Sequence, residues 1–134
     1  MPYEMKKPEA HWQTIFNQYL REKRKKGEMY GFYELKYTTL KHFLFSKIEV
    51  HQYDGLLATE REGLVWKLSD EDRREKPCDC ICIPPLPSYL VIKFTKPYYI
   101  IRIKEIAKLR DEGAISISIE QAEQLAEKIL TLST

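Results

Sequence analysis

Residues Gly31–Thr39, GFYELKYTT, form a strand-like, aromatic-rich segment around an acid and a lysine two positions apart. Side chains alternate across a strand, so Glu34 and Lys36 share one face while Tyr33, Leu35 and Tyr37 take the other. The pair reads in two ways. It is either the solvated face of a strand whose apolar side enters the core, or a carboxylate and an ammonium set side by side for chemistry. The surrounding sequence must decide.

Upstream, residues 9–25 place Trp12, Ile15, Phe16, Tyr19 and Leu20 at helical spacings, which predicts an amphipathic first helix. Its basic last turn suits the helix dipole, and Gly27 ends it. Downstream, FLFSKIEV is a second extended or mixed piece, and HQYDGLLATERE is helical, with Gly63 closing it. LVWKLS reads as a strand, DEDRREKP as a charged loop, and CDCICI, YLVIKFT and YYIIRIK as three more strands, with Lys96-Pro97 and PPLPS as breakers. Residues 104–111 make a short helix. The segment SIEQAEQLAEKIL opens with Ser118 and Gln121 at capping-box spacing and is expected to run on as a terminal helix. Apolar runs this continuous suit buried strands. Helices and strands in this order predict an α/β or α+β sheet flanked by helices.

The 134 residues suit a single domain spanning 1–134. With 43% hydrophobic and 31% charged residues the balance is that of a globular chain, not a disordered one. The net charge of +2 names no partner. No apolar run reaches the roughly 18 residues of a membrane span, and nothing resembles a signal peptide. Three clustered cysteines suit a reducing compartment, so a cytoplasmic location is expected.

On a strand, Asp79 would share a face with Ile81 and Ile83, while Cys78, Cys80 and Cys82 point the other way. A carboxylate in apolar company is costly unless it is paired or binds a cation; the alternative is a solvated strand mouth. C-x-C-x-C on one strand lacks the turn that wraps zinc, so the cysteines are expected to be small buried hydrophobes. His51-Gln52 is either a polar pair at a helix start or part of a site. There is no G-x-S-x-G and no Gly-rich phosphate loop among the five glycines.

Taken together, FYELK, KIEVHQYDGLL, KPCDC and YLVIKF resemble the PD-(D/E)XK nucleases, specifically the branch of Holliday-junction resolvases and related recombination nucleases of phages and bacteria. The likeness runs from Ile15 to Ile103. It implies a restriction-endonuclease-like core with a central mixed sheet, and a Mg²⁺-dependent phosphodiester hydrolase in which Mn²⁺ substitutes. Glu34 would ligate the metal, Lys36 would orient or activate the attacking water, and Gln52, with His51 beside it, would line the site. The family carries an aspartate on the strand before its E-x-K, and none lies between Met1 and Glu34. Asp79 is the expected replacement, from a rearranged or circularly permuted core. Glu28 is a weaker substitute, Lys93 a supporting lysine, and Asn17 and Glu22 further helix candidates.

The run REKRKK holds five basic residues around one acid. It is either a solvated helix end or, in a nuclease, a phosphate-binding rim of Arg21, Lys23, Arg24, Lys25 and Lys26, joined by Lys6, Lys7, Lys41, Lys47 and His51. Tyr30, Phe32 and Tyr33 suit core packing better than base stacking. The reading is a homodimeric, structure-selective endonuclease acting on branched or double-stranded DNA. An inactive nucleic-acid-binding module is the alternative, and a protein–protein adaptor a distant third.

Overall fold

The computed structural model describes residues 8–67 and 80–132. The first helix, α1 (Pro8–Lys25), carries Trp12, Phe16 and Leu20 along one side. Phe16 is fully buried and Leu20 nearly so. The helix stops where expected, with three basic residues in its last turn and Gly27 at φ +69°. Two side chains then tie the turn down. Lys23 pairs with Glu28 at 2.9 Å, and the Arg24 guanidinium donates to the Gly31 carbonyl at 3.0 Å.

The chain enters β1 (Phe32–Tyr37), then β2 (His42–Leu44), a single 3₁₀ turn (Phe45–Lys47) and α2 (Val50–Glu62). β3 (Leu64–Lys67) and β4 (Cys80–Ile83) follow, then β5 (Ser88–Lys93), β6 (Tyr98–Arg102), α3 (Ile103–Asp111), β7 (Ser116–Ser118), α4 (Ile119–Leu125) and β8 (Lys128–Leu130). A four-stranded sheet runs in the order β1-β5-β6-β8. β1 is parallel to β5, with Glu34 opposite Leu90 and Lys36 opposite Ile92, and the other pairings are antiparallel. The fold is therefore α+β: a central mixed sheet flanked by four helices.

Strand alternation splits the core in two. On one face α1 packs Phe16 and Leu20 against Leu35, Val91, Tyr98 and Ile100. On the other, Leu90, Ile92 and Ile101 meet Phe43, Phe45 and Ile48, with Ile103 and Ile106 of α3 and Ala122 of α4. All six residues of β5 are buried, as its unbroken apolar run predicts. β1 is an edge strand; among the described residues nothing pairs with its outer side.

Three expectations change. The terminal helix keeps its capping box, Ser118 accepting from Gln121 N, but it ends at Leu125 and the chain returns as β8. The reason is the open edge of β6. Glu127 N donates to Ile100 O at 2.8 Å, and Leu130 and Leu132 pack on the α1 face, so pairing outweighs helix propensity. The three residues of β7 were not foreseen; they pair with β2. Finally, the strand expected over CDCICI is not in the central sheet, since β4 pairs with β3 in a separate two-stranded ribbon. Cys82 on it is exposed, not a buried hydrophobe. Cys78 and the charged loop lie outside the described residues.

Candidate active site

Glu34 and Lys36 project from β1 toward α2, on the face opposite α1, because even positions of this strand point away from Leu35. The first turn of α2 brings Gln52 down onto them. Its amide Nε2 donates to Glu34 Oε2 at 3.2 Å. Lys36 Nζ stands 3.8 Å from the same oxygen. Lys36 is only 8% exposed. Three residues from two elements, separated by 18 positions from Glu34 to Gln52, thus meet on one carboxylate oxygen.

The electrostatics follow from burial. Desolvation pushes the Glu34 carboxyl above the ordinary glutamate value. The Lys36 charge opposes this, while the charges of Glu9 and Glu49 push in the same direction as burial. Gln52 Oε1 is buried and has no hydrogen-bond partner among the described residues. The arrangement leaves a carboxylate tethered through one oxygen beside an ammonium, with an unpaired amide oxygen close by. It can hold a cation through oxygen donors and fix a water molecule between acid and lysine. Among the described residues no three His, Cys, Asp or Glu side chains gather to hold a metal ion.

The remaining candidates scatter. Asp79 lies outside the described residues. His51 is displaced about 100° around α2 from Gln52. Its side chain is 79% exposed and sits 3.1 Å from Glu49, not against Glu34. Glu28 is held by Lys23, whose ammonium keeps its carboxyl below the usual range, so it does not substitute at the site. Lys93 faces α1, across the sheet from Glu34, because it is opposite Tyr37 in the register. There its ammonium donates to the carbonyls of Thr95 and Lys96 at 2.8 and 3.2 Å and lies 4.2 Å over the Trp12 ring. Burial lowers its pKa. It is a structural lysine, not a support for Glu34.

Arg21, Lys25 and Lys26 are exposed at the end of α1, whereas Lys23 and Arg24 are engaged in the turn to β1. Asn17 and Glu22 line surface hollows among these cations and do not accompany Glu34. Lys41 and Lys47 are exposed just before β2 and α2. Tyr33 packs as expected, stacked on Tyr89 at 4.8 Å. Lys6 and Lys7 lie outside the described residues. Sequence reasoning missed Glu9 and Glu49. Glu49 directly precedes the start of α2, the one local signal that it would stand near Gln52.

The chain matches no protein-family model, no curated protein and no solved structure. No described helix is long and apolar enough to cross a membrane.

Proposed function

We propose that this protein is a metal-dependent, structure-selective DNA endonuclease of the resolvase type, working as a homodimer so that two sites serve two strands. One observation carries the reading: Glu34, Lys36 and Gln52 converge on a half-buried carboxylate whose pKa is raised. Strained protonation of this kind is a mark of functional carboxylates. The oxygen donors of Glu34 and Gln52 fit Mg²⁺, which prefers oxygen ligands. Glu34 would hold it, with Asp79, Glu9 or Glu49 as the second carboxylate. When bound, Mg²⁺ or Mn²⁺ supplies Lewis-acid polarisation of a phosphoryl oxygen.

The chain's own residues do the rest. Gln52 fixes the rotamer of Glu34 through its amide. Lys36, nearly desolvated, hydrogen-bonds the attacking water and faces the negative charge that develops on phosphorus-bound oxygens. Lys41 and Lys47, both exposed, would meet the phosphate backbone. The second reading, a nucleic-acid-binding module without cleavage, draws on one fact: among the described residues Glu34 is the only acid in contact with Lys36 and Gln52.

Four-way junction DNA and linear duplex, incubated with Mg²⁺, Mn²⁺ or EDTA, separate these readings. Cleavage of the junction in metal and silence in EDTA are expected. Glu34→Gln should lose cleavage by at least about 100-fold and still shift DNA in a gel. Glu9→Gln, Glu49→Gln and Asp79→Asn, run in parallel, identify the second carboxylate. Binding without cleavage under every metal condition selects the module instead.

A further inference from the structure

The turn that ends α1 carries features that neither the core nor the Glu34 site uses. From Arg21 to Glu28 the chain has five cations and two acids, a local charge of 5 − 2 = +3. Glu28 is neutralised by Lys23 at 2.9 Å. Arg21, Lys25 and Lys26 remain exposed and have no ion pair among the described residues. Two open hollows of about 550 and 500 Å³ flank this end of the helix, and Arg21 and Lys25 line both.

A third hollow, of about 260 Å³, opens beside them and is aromatic: Tyr30, Tyr33 and Tyr89 line it, with Pro87 and Ile100. Two acids, Glu28 and Glu127, and Lys128 line it as well, and both acids are paired. Glu28 is held by Lys23, and Glu127 accepts from the Tyr89 hydroxyl at 3.2 Å and lies 3.5 Å from Arg102. Tyr33 and Tyr89 are stacked face to face, with the Arg24 guanidinium 5.9 Å from the Tyr33 ring. Tyr30 is different. It is 64% exposed, and its hydroxyl leans over Gly27 at the helix end, joining the aromatic hollow to the basic run.

We propose that this turn is a docking surface for an unpaired strand of nucleic acid: Arg21, Lys25 and Lys26 follow the phosphates, and Tyr30 stacks a base in the aromatic hollow. An unpaired strand fits better than a duplex. The hollow falls below the roughly 300–1,000 Å³ of drug-sized ligand sites, so it admits one planar ring and not a helix. In a duplex the bases are already stacked, which would leave the Tyr30 ring idle. Cations alternating with aromatic rings are the means by which proteins hold single strands without reading sequence. Tyr30 lies four residues before Glu34, about 13 Å along an extended chain, but the hollow is on the α1 face and the carboxylate on the other, so a strand seated here would reach the site only around the open edge of β1. The inference rests on the nucleic-acid part of the proposed function and names the part of the substrate bound here.

The test uses the full chain in EDTA, so that nothing is cut. The probes are a fluorescent 12-nucleotide single strand containing 2-aminopurine and a duplex of the same sequence, followed by anisotropy and 2-aminopurine quenching. The single strand is expected to bind at least about 10-fold more tightly than the duplex. Tyr30→Ala should weaken the single strand about 5- to 150-fold and remove the quenching, leaving the duplex unchanged; Tyr30→Trp should restore both. Neutralising Arg21, Lys25 and Lys26 to Gln should flatten the salt slope for the single strand by about 2. Tyr30 is exposed, so its loss does not threaten folding, and circular dichroism checks this. Salt-dependent duplex binding with no single-strand preference and no Tyr30 effect overturns this inference and leaves the nuclease reading standing. Binding of neither probe overturns this inference, and the nuclease reading is decided separately by cleavage of the four-way junction. Displacement of the strand by polyglutamate, equally from wild type and Tyr30→Ala, marks a general anion surface and also overturns it.

Discussion

Gln52→Leu isolates the helix contribution to the site, because two opposing terms reside on one side chain. Losing the Nε2 hydrogen bond to the Glu34 carboxylate costs about 1.5–3 kcal/mol for a charged acceptor. At 3.2 Å and half-buried, the bond belongs at the low end. The same substitution deletes Oε1, buried without a partner, whose desolvation costs the native protein about 1–3 kcal/mol. Leucine is one atom shorter and fills most of the space. The terms cancel, and the variant should unfold within about 1 kcal/mol of wild type in urea with an unchanged m-value. Cleavage of junction DNA should nevertheless fall 10- to 100-fold, because an untethered Glu34 loses its placement by an ångström or so. A loss of more than about 2.5 kcal/mol would mean that Oε1 is satisfied in solution and the ledger is wrong. Unchanged cleavage at unchanged stability would mean that Gln52 does not position Glu34.

Four further outcomes are expected. The folded protein holds the Glu34 carboxyl above its unfolded value, so between the two values the native state binds more protons; this group's contribution to stability therefore falls as pH rises through that window. Lys36→Met removes the opposing charge and should move the Glu34 carboxyl higher still, seen by carbon-13 NMR titration; a downward move would contradict the pairing. Gly31→Ala should destabilise by more than about 2 kcal/mol in thermal melts, since Gly31 has φ +120° and a Cβ there would overlap the Pro87 carbonyl oxygen. Cys82, exposed on β4, should react with a thiol reagent in the native protein, with the adduct mapped by mass spectrometry; protection until denaturation would place it in the interior.

The acid–lysine pair was legible because strand periodicity is rigid: once GFYELKYTT is a strand, Glu34 and Lys36 must share a face. Gln52 was within reach for a similar reason, since Gly63 and the apolar positions Tyr53, Leu56 and Leu57 locate α2 and its first turn. Other features depended on the sheet as a whole. EKIL after Ala126 has the composition of a helix and becomes β8 only because β6 has an edge to cover. The face occupied by Lys93 is settled by its register with Tyr37, which no local pattern reports. CDCICI has the apolar alternation of a sheet strand. A two-stranded ribbon has the same alternation, and alternation alone does not say which sheet a strand enters.

The parallel contact of β1 with β5 has a consequence for assembly. Phe32 pairs with Ser88, 56 positions later, whereas β5 and β6 are joined by the four residues 94–97. Closing a loop of that length costs roughly 3–4 kcal/mol of chain entropy before any contact repays it. The β5–β6 hairpin with α3 can form early from local contacts, and β1 docks late, held by Leu35 against Phe16 and Val91. The strand that bears Glu34 and Lys36 is then the last to be seated and the first to leave. A partly unfolded chain would keep most of its helices and its hairpin and have no acid–lysine pair at all, so loss of activity on heating should precede loss of helical signal.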